Sequence, residues 1–205
     1  ISNLGDGITS VAYPWLASAV TRSPLLIAIV GFASRLPWLV FTLFAGVISD
    51  RFDRRKIILR MDLVRGLLTV IVALVVMWKA DTLPALNNLS KGATVSTDYV
   101  LYAVLVITAL LFGLAEVLRD NTAQTILPSI VEKENLEKAN SRLWCAESLT
   151  NTFIGPPLGS LIIGIAIFLP FWFDAASFFI AVALIASIAG RSEEHTSELQ
   201  SRETI

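Results

Sequence analysis

Residues 46–56 read GVISDRFDRRK, a dense cationic cluster set directly after one long apolar run and directly before another, which reaches Trp78. In a membrane chain Lys and Arg are retained on the cytoplasmic side, so this arrangement marks a short cytoplasmic loop between two spanning helices. The composition agrees. Hydrophobic residues make up 55% of the 205 and charged residues 16%, against about 45–50% and 25% in an average soluble domain. A soluble core of this size needs far less apolar surface. Successive apolar stretches of about 20 residues, each able to cross ~30 Å of hydrocarbon at 1.5 Å per residue, make this an all-α polytopic membrane protein.

Turn signals and charged breaks divide residues 1–190 into six expected spans. Residues 1–20 read as the later part of a truncated first helix, broken by Thr21-Arg22-Ser23-Pro24. The chain opens at Ile1 without Met and without the charged n-region of a signal peptide, so further turns are expected upstream. The second and third spans fall at 25–49 and 57–78. The polar stretch from Lys79 to Asp98, with Pro84, reads as an external loop. The fourth span falls at 99–127, with Pro128 as its stop, and EKENLEKANSR at 132–142 reads as an inner, partly helical loop. The fifth and sixth spans fall at 144–167 and 171–190, joined by a tight turn at Pro170. Inner loops then hold Arg51, Arg54, Arg55, Lys56, Arg60, Lys133, Lys138 and Arg142, and outer loops hold only Arg22, Lys79 and Lys91. Eight cations against three place the N-terminus in the cytoplasm.

From Arg191 the sequence changes abruptly to RSEEHTSELQSRETI. Its plain reading is a solvated cytoplasmic tail. Residues 191–201 are also similar, letter for letter, to the translation of an adapter used in short-read sequencing libraries. Residues 191–205 are therefore set apart from the fold as a non-native tail, adapter read-through in origin, and His195 carries no chemistry. The segment holds two Arg and four Glu, so without it the formal charge moves from −1 to +1.

Ionisable residues inside spans are the main chemical signal, because an unpaired charge at the bilayer centre costs about 2.5–3.5 kcal/mol even on insertion scales. On the fourth span Glu116, Arg119 and Asp120 fall at i, i+3 and i+4, with Gln124 one turn on, and share a polar face. Arg119 can neutralise one carboxylate and leave the other free to take up a proton. The alternative is a structural ion-pair network. Asp6, flanked by Gly5 and Gly7, is a further proton or substrate ligand. Arg35, Glu147 and Asp174 also lie within spans, Arg35 and Asp174 nearer an interface where long side chains snorkel. Trp15, Trp38, Trp78, Trp144 and Trp172 mostly fall near span ends and read as an interfacial belt. In the basic loop Gly46 lets helices approach, Asp50 can pair with a cation or cap a helix, and Arg51, Arg54 and Arg55 can bind carboxylates or lipid phosphates. Gly155, Pro156 and Gly159 in the fifth span supply a kink and a close-packed face, a hinge or an ordinary packing bend.

A single Cys145 and one His exclude an internal disulfide and a zinc or haem cluster. The chain has no hydrolase triad, no His-Glu-x-x-His and no phosphate-binding glycine loop before Lys-Ser/Thr. No enzyme, no cofactor and no nucleic-acid partner are expected. Active transport in such a chain would draw on an ion gradient.

The loop from Gly46 through Asp50 and Arg51 to Arg54 and Arg55 resembles the signature between the second and third helices of the major facilitator superfamily. It departs from that pattern at Ile48, Ser49 and Asp53, the last standing where Gly commonly supplies a positive φ. Gly155-Pro156-Pro157-Leu158-Gly159-Ser160 resembles the Gly-Pro segment of the superfamily's antiporters and exporters, with Ser160 in place of Gly. The texture of NLGDGITSVAYPWL, LRDNTAQTILPSIV and WFDAASFF is similar to its enterobactin-exporter and macrolide-efflux branch. The resemblance implies the six-helix N-terminal half of a twelve-helix fold, built from two inverted three-helix repeats. It implies a conformational latch at the Asp50 loop and proton-driven export of a small amphipathic molecule, a drug or siderophore, from a bacterial inner membrane. The implied partners are lipids, protons, the substrate and a missing C-terminal half of the same chain. A non-transporting six-helix scaffold, or a fragment inactive on its own, remains the alternative reading.

Overall fold

The computed structural model describes residues 2–81, 83 and 97–203, with side chains as far as Ser187 apart from Ser129 and Ile130. Ile1, most of the expected external loop with Pro84 and Lys91, and the side chains of 191–205 including His195 lie outside the described residues. The described backbone is helical throughout its ordered elements: α1 (Ser2–Val20), α2 (Pro24–Arg51), α3 (Arg54–Trp78), α4 (Tyr99–Ile130), α5 (Leu136–Ser148), α6 (Gly155–Ile165) and α7 (Leu169–Glu203). Among them Pro24–Arg51, Arg54–Trp78, Tyr99–Pro128 and Leu169–Ser187 are long and apolar enough to cross a membrane. The chain is a multi-pass, all-α membrane protein.

Four details differ from the sequence reading, the first being that the expected sixth span does not end at 190 but continues as α7 through the segment set apart as a tail to Glu203. Pro128 does not stop α4, which runs two residues further and ends where the Val131 N–H reaches the Leu127 carbonyl at 3.2 Å. The expected span at 144–167 is helical without a break as far as Ile165, but α5 passes through a π-helical turn at Leu149–Ile154 into the short α6. The cause is local: Pro156 and Pro157 have no N–H to give and their rings crowd the carbonyls four residues back, so the preceding turn widens. Pro170 is not the turn itself. It is the second residue of α7, where a missing N–H costs nothing, and the turn is made by 166–168 with the Leu169 N–H on the Ala166 carbonyl at 3.2 Å.

Both ends of the polar breaks are capped by aspartates. Asp53 accepts from the Arg55 and Lys56 amides at 3.0 and 3.3 Å and has φ −60°, so it serves as the N-cap of α3 and needs no positive φ. Asp98 caps α4 through the Val100 and Leu101 amides, both at 3.1 Å, and takes the Lys79 ammonium at 2.8 Å. The hydrogen bond from Lys79, followed by that from the Leu101 amide, holds the Asp98 carboxyl below its usual value. A depressed folded-state value means that this contribution is present above the ordinary Asp value of about 3.9 and is lost as pH falls through the folded one. Asp98→Ala is expected to cost about 1 kcal/mol at neutral pH and nothing once the carboxyl is protonated, read as a melting difference that vanishes in acid.

The core joins α1, α3, α4, α6 and α7 through Ala12, Leu16, Val20, Val72, Val76, Leu105, Ile163 and Phe171. α2 packs along α4, closest where Gly113 meets the Ser34 carbonyl, a position at which no Cβ would fit. Its other flank is bare, with Leu39 81% and Leu43 85% exposed. Such apolar exposure suits lipid or a further part of a larger bundle.

Candidate functional site

Two charges that the sequence reading passed over organise the centre of the bundle. Asp62 and Arg65 lie one turn apart on α3, and both are fully buried, at 0% and 2% exposure. Arg65 sits in the corner formed by the rings of Phe112 of α4 and Phe178 of α7, 4.6 and 4.4 Å from their centroids, the two rings themselves meeting edge to face at 5.8 Å. Gly66 makes room, since Phe178 Cβ lies 3.2 Å from where its own Cβ would stand. A guanidinium held this way is desolvated but faced by π-density, and its fork reaches two carboxylates: Asp6 of α1 at 2.7 Å and Asp62 at 3.8 Å.

The pairing continues across the bundle. Asp62 Oδ1 also stands 3.4 Å from Arg119 Nε of α4, and Arg119 Nη1 donates to Asp120 at 2.9 Å. Asp120, Arg119, Asp62, Arg65 and Asp6 therefore form one alternating line of charge through three helices. The signal for its missing middle was present: an acid and a base at i, i+3 inside an apolar run. It was hidden because the arginines near the inner end of a span are absorbed into the cytoplasmic cation tally, as Arg60 was. Arg60 does face outward, on the second turn of α3.

This line separates two cavities, and the expected site residues divide between them. A cavity of ≈ 390 Å³ between α1, α2 and α4 is lined by Asp6, Tyr13, Arg35, Phe112 and Glu116, with Asn151 of the π turn. A second, of ≈ 770 Å³ between α4 and α5, is lined by Arg119, Asp120, Gln124, Trp144 and Glu147. Glu116 is thus parted from Arg119 and Asp120 although they share a helix. Among the described residues Glu116 has no ion pair, and the Tyr13 hydroxyl has no hydrogen-bond partner. The first cavity accordingly offers an acid, a phenol and an aromatic wall to an occupant.

Asp174 does not sit near an interface. It is fully buried on α7, and the Thr9 hydroxyl of α1 donates to its Oδ2 at 3.3 Å. Trp38 likewise leaves the expected belt, lying in the middle of α2 with its indole N–H buried, whereas Trp78 and Trp144 are 78% and 70% exposed.

At the basic loop, Asp50 pairs with Arg54 at 3.6 Å. Arg54 also donates to the Thr125 carbonyl of α4 at 3.2 Å, and Arg55 to the Ile185 carbonyl of α7 at 3.5 Å, so the loop grips α4 near its end and α7 along its length. Arg51 is exposed. Gly46 does not mediate close packing within this bundle, because a Cβ there would meet nothing within 4 Å. The Gly-Pro segment does. Cβ atoms at Gly155 and Gly159 would meet the backbone of α1 at Gly7 and Ile8, and one at Gly7 would lie 2.7 Å from the Asn151 carbonyl.

The family model described as "transmembrane secretion effector", a branch of the major facilitator superfamily, matches residues 1–205. The chain is 30% identical over 161 residues to the multidrug efflux pump Tap of Mycolicibacterium fortuitum, covering 78% of this chain and 35% of that protein. It is 29% identical over 205 residues to the pump of the same name in Mycobacterium tuberculosis strain H37Rv, covering 96% of this chain and 44% of that protein. The chain thus spans less than half the length of these relatives. No solved structure matches it. On the family match, the chain belongs to the major facilitator superfamily, among its transmembrane secretion effectors.

Proposed function

We propose that this chain forms the N-terminal half of a proton-coupled exporter of small amphipathic molecules in a bacterial plasma membrane, with its N-terminus in the cytoplasm. The observation that carries the reading is the line of five charges joining two cavities, because a transporter must pass information between a proton site and a substrate site. The likeness to pumps named for multidrug efflux supports export as the direction. Access would alternate by rocking of this half against a C-terminal half around a midplane cavity.

In this mechanism the carboxylates take different parts. Asp6, at the end of the charged line and in the wall of the smaller cavity, binds the occupant or the group that answers to it. Glu116 or Asp120 takes up the coupling proton, and Arg119 is the counter-charge. When Asp120 is neutralised Arg119 is released toward Asp62, which loosens the hold of Asp62 on Arg65 and so tightens that of Arg65 on Asp6. The Asp50 loop is the latch, its arginines gripping α4 and α7 in one state and releasing them in the other. The Gly155-Pro156 segment is the hinge.

The test uses the full-length transporter in proteoliposomes. Asp120→Asn is expected to abolish substrate flux driven by an imposed pH gradient while substrate exchange without a gradient continues, and Asp50→Asn to slow both. Normal gradient-driven flux with Glu116 and Asp120 both neutralised would sink the assignment of the proton to α4.

A further inference from the structure

The charged line leaves out two central carboxylates, Glu116, which lines the smaller cavity, and Asp174. The Asp174 side chain is fully buried, its Oδ1 has no hydrogen-bond donor, and among the described residues it has no ion pair. It does not face either cavity. Each packed element brings defined groups toward it: Asp6, Tyr13 and Thr9 from α1, and Arg65 with Asp62 behind it from α3. From α4 comes Glu116, which bears on Arg65, while α6 carries no titratable side chain. Among the described residues the only cation in reach is Arg65, which lies over the ring of Phe178 one turn along α7 from Asp174, and its fork is already given to Asp6 and Asp62.

An ionised carboxylate with a bare oxygen at this depth is costly, whereas a neutral acid is satisfied where it stands. Ser177 lies beside Asp174 Oδ1, both atoms crowding the same point above Gly5. The Ser177 hydroxyl already donates to the Asp174 carbonyl at 2.8 Å, so its oxygen can accept a hydrogen bond but has no proton left to donate. The Thr9 hydroxyl reaches the carbonyl-type oxygen Oδ2 at 3.3 Å but shares its one proton with the Gly5 and Asp6 carbonyls at 3.1 and 3.2 Å, so it too offers a carboxylate little. The surroundings therefore fit a carboxylic acid with its proton on Oδ1 and do not fit a carboxylate. Gly5 completes the fit, since any side chain there would displace Oδ1.

We propose that Asp174 is a proton-binding site in the bundle core, separate from the cavity carboxylates, and that it competes with Asp6 for Arg65: while Arg65 holds Asp6, Asp174 keeps its proton, and when Asp6 is neutralised Arg65 turns to Asp174, which releases it. No bond other than O–H changes, and the released proton leaves past the Thr9 hydroxyl, which meets Asp174 Oδ2 and lines the smaller cavity.

Infrared difference spectroscopy of the full-length purified transporter at neutral pH tests this without any transport step, so it stands or falls apart from the coupling reading. The wild type is expected to show the C=O band of a buried carboxylic acid, shifted in heavy water. Asp174→Asn, which keeps the shape of the neutral acid, is expected to fold normally and lose that band. Asp6→Asn is also expected to lose it, because Arg65 is freed to hold an ionised Asp174. Ser177→Ala is expected to retain the band and move it to higher wavenumber, since the acceptor is gone. A spectrum unchanged by Asp174→Asn, with the protein folded, overturns the site. A band that survives Asp6→Asn overturns the competition for Arg65. Failure of Asp174→Asn to fold, with Ser177→Ala leaving the band in place and unmoved, also overturns the site.

Discussion

Arg65→Ala is expected to reduce the yield of folded, monodisperse full-length transporter by tenfold or more. The substitution removes the shared partner of Asp6 and Asp62 and leaves two buried carboxylates facing an apolar gap. Breaking one buried pair typically costs about 3–5 kcal/mol, and the lost stacking on Phe112 and Phe178 adds about 0.5–2 kcal/mol per ring. Set against a total stability of about 5–15 kcal/mol, that is enough to empty the native state. Arg65→Lys is expected to be a partial loss and not a conservative change, because a single ammonium cannot lie over two rings and reach two carboxylates at once. The triple variant Asp6→Asn, Asp62→Asn, Arg65→Met separates fold from function. With no charge left to desolvate it is expected to recover most of the melting temperature while transporting nothing. If Arg65→Ala melts as the wild type does, the charged line is not what ties α1, α3 and α4 together.

The reason that Arg65 escaped a sequence reading, while Asp6 and Arg119 did not, is physical. Charges isolated in apolar runs announce themselves by their cost in hydrocarbon, and Asp6, Glu116, Arg119 and Asp120 all stand that way. Asp62 and Arg65 follow Arg54, Arg55, Lys56 and Arg60 closely enough to be read as the tail of a cytoplasmic cluster. Whether such a residue is solvated or buried depends on the rotation of α3 about its axis, and that is set by α4 and α7, which lie far away in sequence. The same holds for Glu116 and Asp120. Their spacing puts them on one side of α4, but α1 and α2 close over one and α5 over the other, so they line different cavities. Local chemistry was more legible. The basic loop and the prolines at 156–157 each act on their immediate neighbours, and each shaped the chain at its own position, whereas the caps at Asp53 and Asp98 were not part of that reading. Even there Gly46 shows the limit of a motif: its letter matches, but within this bundle it touches nothing.

Gly159→Ala is expected to cost about 1–3 kcal/mol, the price of overpacking a site that cannot yield. The neighbour that an added methyl would meet is the carbonyl of Ile8, backbone and not a flexible side chain, so α1 or α6 must move as a body. Gly155→Ala is expected to cost as much, because its Cβ would lie 2.5 Å from Gly7 Cα. In lipid, where apolar side chains gain little by leaving their surroundings, such backbone contact is a main source of helix association. Gly164→Ala supplies the control on the same helix. Nothing lies within 4 Å of its Cβ position, so it should be neutral or gain from the roughly 0.8–1.0 kcal/mol advantage of Ala over Gly in a helix. The π turn adds a functional consequence. Asn151 lines the smaller cavity and packs on Gly7, so forcing α6 from α1 deforms the wall beside Asp6. Transport in proteoliposomes should therefore fall further in Gly155→Ala and Gly159→Ala than the amount of folded protein does. If the two fall in step, the Gly-Pro segment only packs. If Gly159→Ala melts no lower than Gly164→Ala, α1 and α6 do not make the backbone contact on which both readings depend.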